Sequence, residues 1–357
     1  MSTLWQYPQS MPTIRVFLSS IGLCAWALFL FVQPRSAAQG IPKDSGEWLT
    51  RAAETTNIQE AGAKPFRLRA SLRILAGKDQ MYEGTFDLVW SSPSQWREQI
   101  QLPGYSRVRV GEDHKYWLQR SVAFEIVRVD QLDHLLNIPF KNQVSSHEQL
   151  AKTEEKKENG IVRKCVDLNR GARLGKRVLC FDPITGALMV EEDPQPGTPA
   201  LLQAFQITRS EYSNFHDWAG HIYPYSMVAF TGKTPVIEFH VQELSAPDAI
   251  DPALFQHASG AEEWDSCDSP QEAAVLEQQP PKYPEEARRS GVSGVVQIYA
   301  VIEIDGTLSH LAVLTSARPD MDKAALDAVS KWRYRPPACD GKPIRIHTII
   351  TTTFLLG

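Results

Sequence analysis

Five cysteines are the most reactive side chains in this sequence, and their positions decide what chemistry they can do. Cys24 lies in an apolar N-terminal run, which leaves Cys165, Cys180, Cys267 and Cys339 for the rest of the chain. Cys165 and Cys180 sit on successive strand-like stretches, 163–168 and 177–181, joined by a turn carrying Gly171 and Gly175. Strands joined that way can bring facing cysteines within bonding distance, so a hairpin disulfide is expected there. Cys267 falls in a polar stretch and Cys339 just before the last strand, and a bridge between them would staple the two segments together. Zinc is the competing use of these thiols. No CxxC and no close His/Cys cluster accompanies them, so no metal site is expected.

Other chemical templates fit poorly. Gly171-Ala-Arg-Leu-Gly175-Lys176-Arg177 mimics a phosphate loop, but it is one residue short and ends in Arg where Ser or Thr is needed. Gly232-Lys233-Thr234 has the right ending, yet Met227 stands where the first Gly belongs. His216 and His221 flank Asp217 without the Glu of a helical zinc motif, and no Gly-x-Ser-x-Gly elbow occurs. These histidines read as surface residues. A formal net charge of −5 supplies no basic field for nucleic acid. A binding protein without a cofactor is expected, not an enzyme.

The elements that would position a binding site begin with an export signal. Arg15 precedes an apolar run, 16–32, broken only by Ser19, Ser20 and Gly22 and followed by Gln33-Pro34-Arg35-Ser36-Ala37-Ala38. Ser36 and Ala38 satisfy the small-x-small rule of signal peptidase, so 1–38 reads as a signal peptide. Left uncleaved, the run is near the lower length limit of a membrane anchor. Leu23 occupies the position where a lipidation motif wants a small residue, and Met11 is an alternative start. The expected location is the bacterial periplasm, free or tethered to the inner membrane, where disulfides form.

At the other end, Pro284, Glu285, Glu286 and Gly291 mark a short helix, with Pro at its start and Gly at its exit. Val296, Ile298, Ala300, Ile302 and Ile304 then alternate with Gln297, Tyr299, Val301 and Glu303, the pattern of a strand with one buried face. Asp305-Gly306 turns the chain into a return strand over 308–316. Met321, Ala324, Ala325, Ala328, Val329 and Trp332 form a helical stripe. In the last strand, Ile344, Ile346, Ile350, Phe354 and Leu356 share one face, opposite Arg345, His347, Ile349, Thr351 and Thr353.

These signatures, together with Tyr283-Pro284, Trp332-Arg-Tyr-Arg-Pro336 and Gly341-Lys-Pro343, resemble the C-terminal domain of TonB-family energy transducers over 278–357. The resemblance implies that the last strand accepts an N-terminal peptide of an outer-membrane transporter by strand addition. The candidate partner-binding residues are Ile344, Arg345, His347, Ile349, Thr351 and Thr353. The alternatives are that a neighbouring strand covers this one, or that a second copy does so in a homodimer. Resembled transducers carry a His in the membrane anchor and a Pro-rich spacer. Here the apolar run has no His, and a folded region stands in place of the spacer.

That region, 44–257, opens with a helix-like stretch around Trp48, Leu49, Ala52 and Ala53 and continues as strand-like segments divided by Gly, Pro and Asn turns. The segments 66–75, 85–90, 96–102, 106–110, 115–119, 187–192, 204–212, 222–230 and 236–244 predict one large antiparallel sheet, with 130–136 as a helix plugging it. Pro93-Ser-Gln-Trp96-Arg97-Glu98, Tyr116-Trp117, Asp182-Pro-Ile-Thr-Gly186 and Gly220-His-Ile-Tyr-Pro224 resemble the LolA-like lipoprotein-carrier superfamily. In that superfamily the concave face holds acyl chains, which implies a lipid or lipoprotein ligand. The bland alternative is that Trp90, Trp96, Trp117, Phe124 and Phe205 simply form a core. Residues 258–281 read as a polar linker and 152–159 as a solvated hairpin tip. The expected class is α+β: a central LolA-like half-barrel over 44–257, and a small TonB-type domain over 282–357 with the order helix, β-hairpin, helix, strand.

Overall fold

The computed structural model describes residues 45–76, 80–136, 148–158, 160–171, 175–194, 206–267 and 271–356. The apolar run at 16–32, Cys24 and Phe205 lie outside them. Among the described residues no helix is long and apolar enough to cross a membrane.

Strand periodicity builds the central region. In β1 (Phe66–Ala76), Phe66, Leu68, Ala70, Leu72 and Ile74 are buried on one face. On the other face, Arg67 grips Asp87 through two hydrogen bonds, and Arg73 donates to Glu238 at 2.8 Å. Antiparallel neighbours follow in β2 (Gln80–Ser92), β3 (Gln95–Leu102), β4 (Tyr105–Glu112) and β5 (Lys115–Arg120). Later come β6 (Gln149–Glu158), β7 (Ile161–Asn169), β8 (Lys176–Phe181), β9 (Leu188–Glu192), β10 (Arg209–Trp218), β11 (His221–Thr231) and β12 (Thr234–Ser245). With β13 (Glu262–Asp265), the order is β13-β5-β4-β3-β2-β1-β12-β11-β10-β9-β8-β7-β6. The terminal strands do not pair with each other, so this is an open, curved antiparallel sheet rather than a closed barrel.

Two helices cover its inner face. Trp48 and Ala52 of α1 (Ser45–Thr56) and Val129, Leu132 and Leu135 of α2 (Val127–Leu136) join the same apolar core as Phe66, Phe86, Leu168, Phe181 and Phe239. Their three-to-four-residue spacing puts these side chains on one helical stripe, which has to be buried.

The charged stretch at 152–159 is not a hairpin tip. Through residue 158 it is strand β6, the outermost of the sheet, and almost wholly exposed. An edge strand solvated on both faces needs no apolar alternation, and its Lys and Glu residues discourage pairing with another chain.

Within 258–281, the described residues include segments that pair with both regions. There β13 extends the large sheet by pairing with β5, Gln271 bridges to Ala338, and β14 (Ala274–Glu277) pairs with β17 (Arg333–Arg335).

The small C-terminal domain follows the expected order. It comprises α3 (Glu285–Arg289), the hairpin β15 (Gly294–Ile302) and β16 (Leu308–Thr315), α4 (Pro319–Val329), a short β18 (Ala338–Cys339) and β19 (Lys342–Pro343) ladder, and β20 (Ile346–Phe354). Its sheet has the order β16-β15-β20. Gly306 makes the hairpin turn at φ +80°, packed so closely that a Cβ would lie 1.9 Å from the Tyr334 carbonyl oxygen. On one face Val296, Ile298, Ala300, Ile350 and Phe354 meet Met321, Ala325 and Val329 of α4. The expectation of one buried face on β15 is corrected, because all nine of its residues are buried. Its second face is covered by the central region.

Candidate functional site

The terminal strand offers an edge and a face, and the structure treats them differently. β20 pairs with β15 along its whole length, from Ile346 opposite Ile302 to Phe354 opposite Gly294. Among the described residues no strand pairs with its other edge. Backbone donors and acceptors on such an edge can be satisfied by an extended peptide as well as by water.

The face opposite α4 is split along its length. Thr351 and Thr353 are exposed, and Ile349 is half-buried. His347 Nε2 lies 3.0 Å from Asp130 Oδ1 of α2, and its ring stacks on Tyr299. The Arg345 guanidinium sits 4.3 Å from the centre of the Trp264 ring and donates to the Glu263 carbonyl at 2.7 Å. Ile344 is buried. The candidate residues are therefore not one solvent-facing row. The first of them bind the chain's own central region.

The seam is an apolar cluster of Leu118, Trp264, Tyr299 and Val301, flanked by Tyr116, Phe124, Ala312 and Leu314. Arg120 donates to the Tyr299 hydroxyl at 3.1 Å across it. Burying each large apolar side chain is worth about 1.5–3 kcal/mol. A part-exposed hydrogen bond such as that between His347 and Asp130 is worth about 0.5–1.5 kcal/mol. Apolar contact therefore contributes more than the His347–Asp130 contact to holding the domains together. Sequence reasoning missed Trp264, Tyr299, Arg120 and Asp130. The signal present was the run Val295 to Ile302, apolar on both faces except at Gln297, which is how a strand buried on both sides reads.

Beside the seam, the inner face of the central sheet holds a cavity of about 490 Å³. Phe66, Phe86, Leu88 and Trp90 form an apolar side, and Glu98, Arg109 and Asp133 a charged one. Trp96 reaches the cavity by lying across β4 at Gly111, where a Cβ would come within 2.1 Å of the indole nitrogen. Trp90 thus serves both as core and as cavity wall. By contrast, Trp117 stacks on His257, and Phe124 packs at the seam.

Behind the charged side, Arg107 is almost fully buried and donates to Glu98, Glu125 and Asp133 at 2.6–3.2 Å. Arg109 makes bidentate pairs with Glu98 and Asp133. Burial opposes ionisation of Asp133, but Arg107 and Arg109 outweigh it and bring the carboxyl down to about 2. Burial lowers the pKa of both guanidinium groups, and the surrounding carboxylates raise it further than burial lowers it. Asp133, Arg107 and Arg109 therefore keep one charge state across the physiological range. They place fixed charges at one end of an apolar space.

The cysteines pair as Cys165–Cys180 and Cys267–Cys339, with Cα atoms 4.0 and 6.0 Å apart. Cys165 and Cys180 stand directly opposite on β7 and β8. Among the described residues no group of three or more His, Cys, Asp or Glu is placed to hold a metal ion. His216 stacks on Tyr225, and His221 hydrogen-bonds the Glu54 carbonyl, so the structure does not bring these two into one site. Gly232 turns between β11 and β12, and residues 172–174 of the other loop lie outside the described residues.

The family model for the Gram-negative bacterial TonB protein C-terminal matches residues 279–356. This segment is a TonB C-terminal domain. Over 79 residues it is 33% identical to Protein TonB of Xanthomonas campestris pv. campestris, covering 22% of this chain and 35% of that one. The chain thus spans about a third of the length of the curated relatives it matches. The solution structure of the Pseudomonas aeruginosa TonB C-terminal domain is 29% identical, with TM-score 0.22, and covers 24% of this chain and 86% of that one. A LolA superfamily protein from Nitrosomonas europaea matches at 11% identity and TM-score 0.37, over 60% of this chain and 99% of its own. With TM-scores that low, the architecture ahead of the TonB C-terminal domain rests on its own strand order and registers.

Proposed function

We propose that this is an exported envelope protein whose TonB C-terminal domain binds an outer-membrane transporter, or another envelope partner, through an extended peptide added to β20. The observation that carries this reading is the unpaired outer edge of β20 in the order β16-β15-β20. Backbone pairing would supply most of the affinity, and the exposed Thr351 and Thr353 would help select register. Periplasmic location and transduction of energy to the transporter belong to the same reading. Titrating the full exported chain with peptides from transporter N-termini, followed by backbone amide NMR, tests it. Shifts should concentrate along Ile346 to Phe354. No binding at millimolar peptide would refute it, and a concentration-dependent dimer with shifts on the same strand would assign that edge to a second copy.

A second reading is favoured by the cavity. Its volume and its apolar and charged sides suit an amphipathic molecule, so the central region serves as a lipid or lipoprotein carrier, with the TonB C-terminal domain as its docking module.

A further inference from the structure

The cavity and the docking seam are built from the same two elements. On α2, Asp130 grips His347 of the TonB C-terminal domain, while Asp133 and Leu136, further along the same helix, line the cavity. On β13, Trp264 is packed between Tyr116, which lines the cavity, and Arg345 and His347 of the C-terminal domain. Asp265, Ser266 and Cys267, which follow Trp264, form part of the cavity wall, and Cys267 is bonded to Cys339. The segment after β13 thus lines the cavity and is tied to the C-terminal domain through Cys267.

β13 has only four residues at the edge of the sheet, and one of them, Trp264, is buried. Without the C-terminal domain, Trp264 would lose Arg345, His347 and Tyr299 as neighbours. A strand that short would then depend on its ladder with β5, the exposed Lys115–Glu263 pair and the Cys267–Cys339 bridge, and short edge segments with few buried contacts open first. The wall at 265–267 would then fray, and α2 would lose its hydrogen bond at Asp130.

Resting on the carrier reading, we propose that filling the cavity and docking the TonB C-terminal domain are coupled, each favouring the other. The docked arrangement completes the wall, so an amphipathic ligand binds it more tightly than the undocked one. By linkage, the same ligand must tighten docking by the same factor. Occupancy of the central region thereby reaches β20, whose first residues lie in the seam.

The test uses the full chain and a fluorescent amphiphile, dansyl undecanoic acid. The substitutions Tyr299→Ala and His347→Ala together remove two seam side chains of the C-terminal domain without touching a cavity residue or the α4-facing core. Probe affinity should fall by about fivefold or more, the lower end of typical couplings. In the wild type, the probe should slow amide exchange in Glu262–Asp265 and at Ile346 to Ile349, and this effect should vanish in the double variant. Equal affinity in both proteins, with no change in exchange, would overturn the coupling and leave the carrier reading intact. Failure of the wild type to bind the probe would overturn both. If the double variant loses its near-ultraviolet circular dichroism, Asp130→Asn with Arg345→Ala takes its place, under the same criteria.

Discussion

Replacing Arg107 by Met should be among the most damaging single changes in the chain, and the structure says where the cost arises. The guanidinium is 1% exposed and holds three carboxylates: Glu98 at 2.8 Å, Glu125 at 3.2 Å and Asp133 at 2.6 Å. Two of the three keep another cation. Arg109 stays bidentate to Glu98 at 2.6 and 3.0 Å and contacts Asp133 at 3.1 and 3.2 Å. Glu125 does not. It retains the Tyr105 hydroxyl, the Ile126 amide at 3.3 Å, and Arg120 no nearer than 4.0 Å. Leaving one buried charge so weakly paired costs up to about 3–5 kcal/mol, the cost of a fully broken buried pair, of a total stability of about 5–15 kcal/mol for a typical domain. Urea unfolding followed by tryptophan fluorescence should show that loss as a lower midpoint at unchanged slope. Adding Glu125→Gln should return part of it, because the stranded charge is gone. A loss below about 1 kcal/mol, or a double variant no more stable than Arg107→Met alone, would refute this account of the cluster.

The Asp133 carboxyl lies near 2 against an ordinary 3.8, so it contributes stability above the unfolded value that is lost as pH falls from there toward 2. The difference amounts to about 2 kcal/mol, and Asp133→Asn should flatten that part of the stability–pH profile measured by urea unfolding. Cys165, Cys180, Cys267 and Cys339 should show no free thiol before reduction, and peptide mapping should return Cys165 with Cys180 and Cys267 with Cys339. From sequence separations of 15 and 72, chain entropy assigns these bridges about 3 and 4 kcal/mol respectively. The double serine variant at Cys267 and Cys339 should therefore lose more stability than the one at Cys165 and Cys180, and the reverse order would point to control by native-state strain.

The parts of this fold that were legible in the sequence are those governed by short-range rules. Alternation in β1, the Asp305-Gly306 turn and the apolar stripe of α4 each report a local period, and the helix, hairpin, helix, strand order follows from them. The cysteine pairs were legible because position on a hairpin, or at two ends of a stapled segment, limits which partners can meet. The docking seam was not legible in this way. His347 and Arg345 look like ordinary solvent-facing residues when β20 is read alone, because their partners Asp130 and Trp264 lie 217 and roughly 80 positions away. No periodicity links such residues. β13 was hidden for a related reason: Glu-Glu-Trp-Asp is too short and too acidic to read as a strand, and it becomes one because β5 offers an open edge and the C-terminal domain buries Trp264. β6 failed in the opposite sense, since its lysines and glutamates suit an edge strand as well as they suit a loop.

Magnitudes indicate how a partner could use β20 without dismantling the seam. Leu118, Trp264, Tyr299 and Val301 are all buried there, and at about 1.5–3 kcal/mol each their burial comes to roughly 6–12 kcal/mol before any entropy is counted. A peptide bound at micromolar strength releases about 8 kcal/mol in total. It cannot displace that seam and also bind tightly. Strand addition needs only the outer edge of β20, whereas docking uses the face that carries Arg345 and His347, so the two contacts draw on different atoms of the same strand. Pairing is then expected to start near Thr351 and Thr353, where side chains face solvent, and to run toward Ile346 only as far as α2 permits.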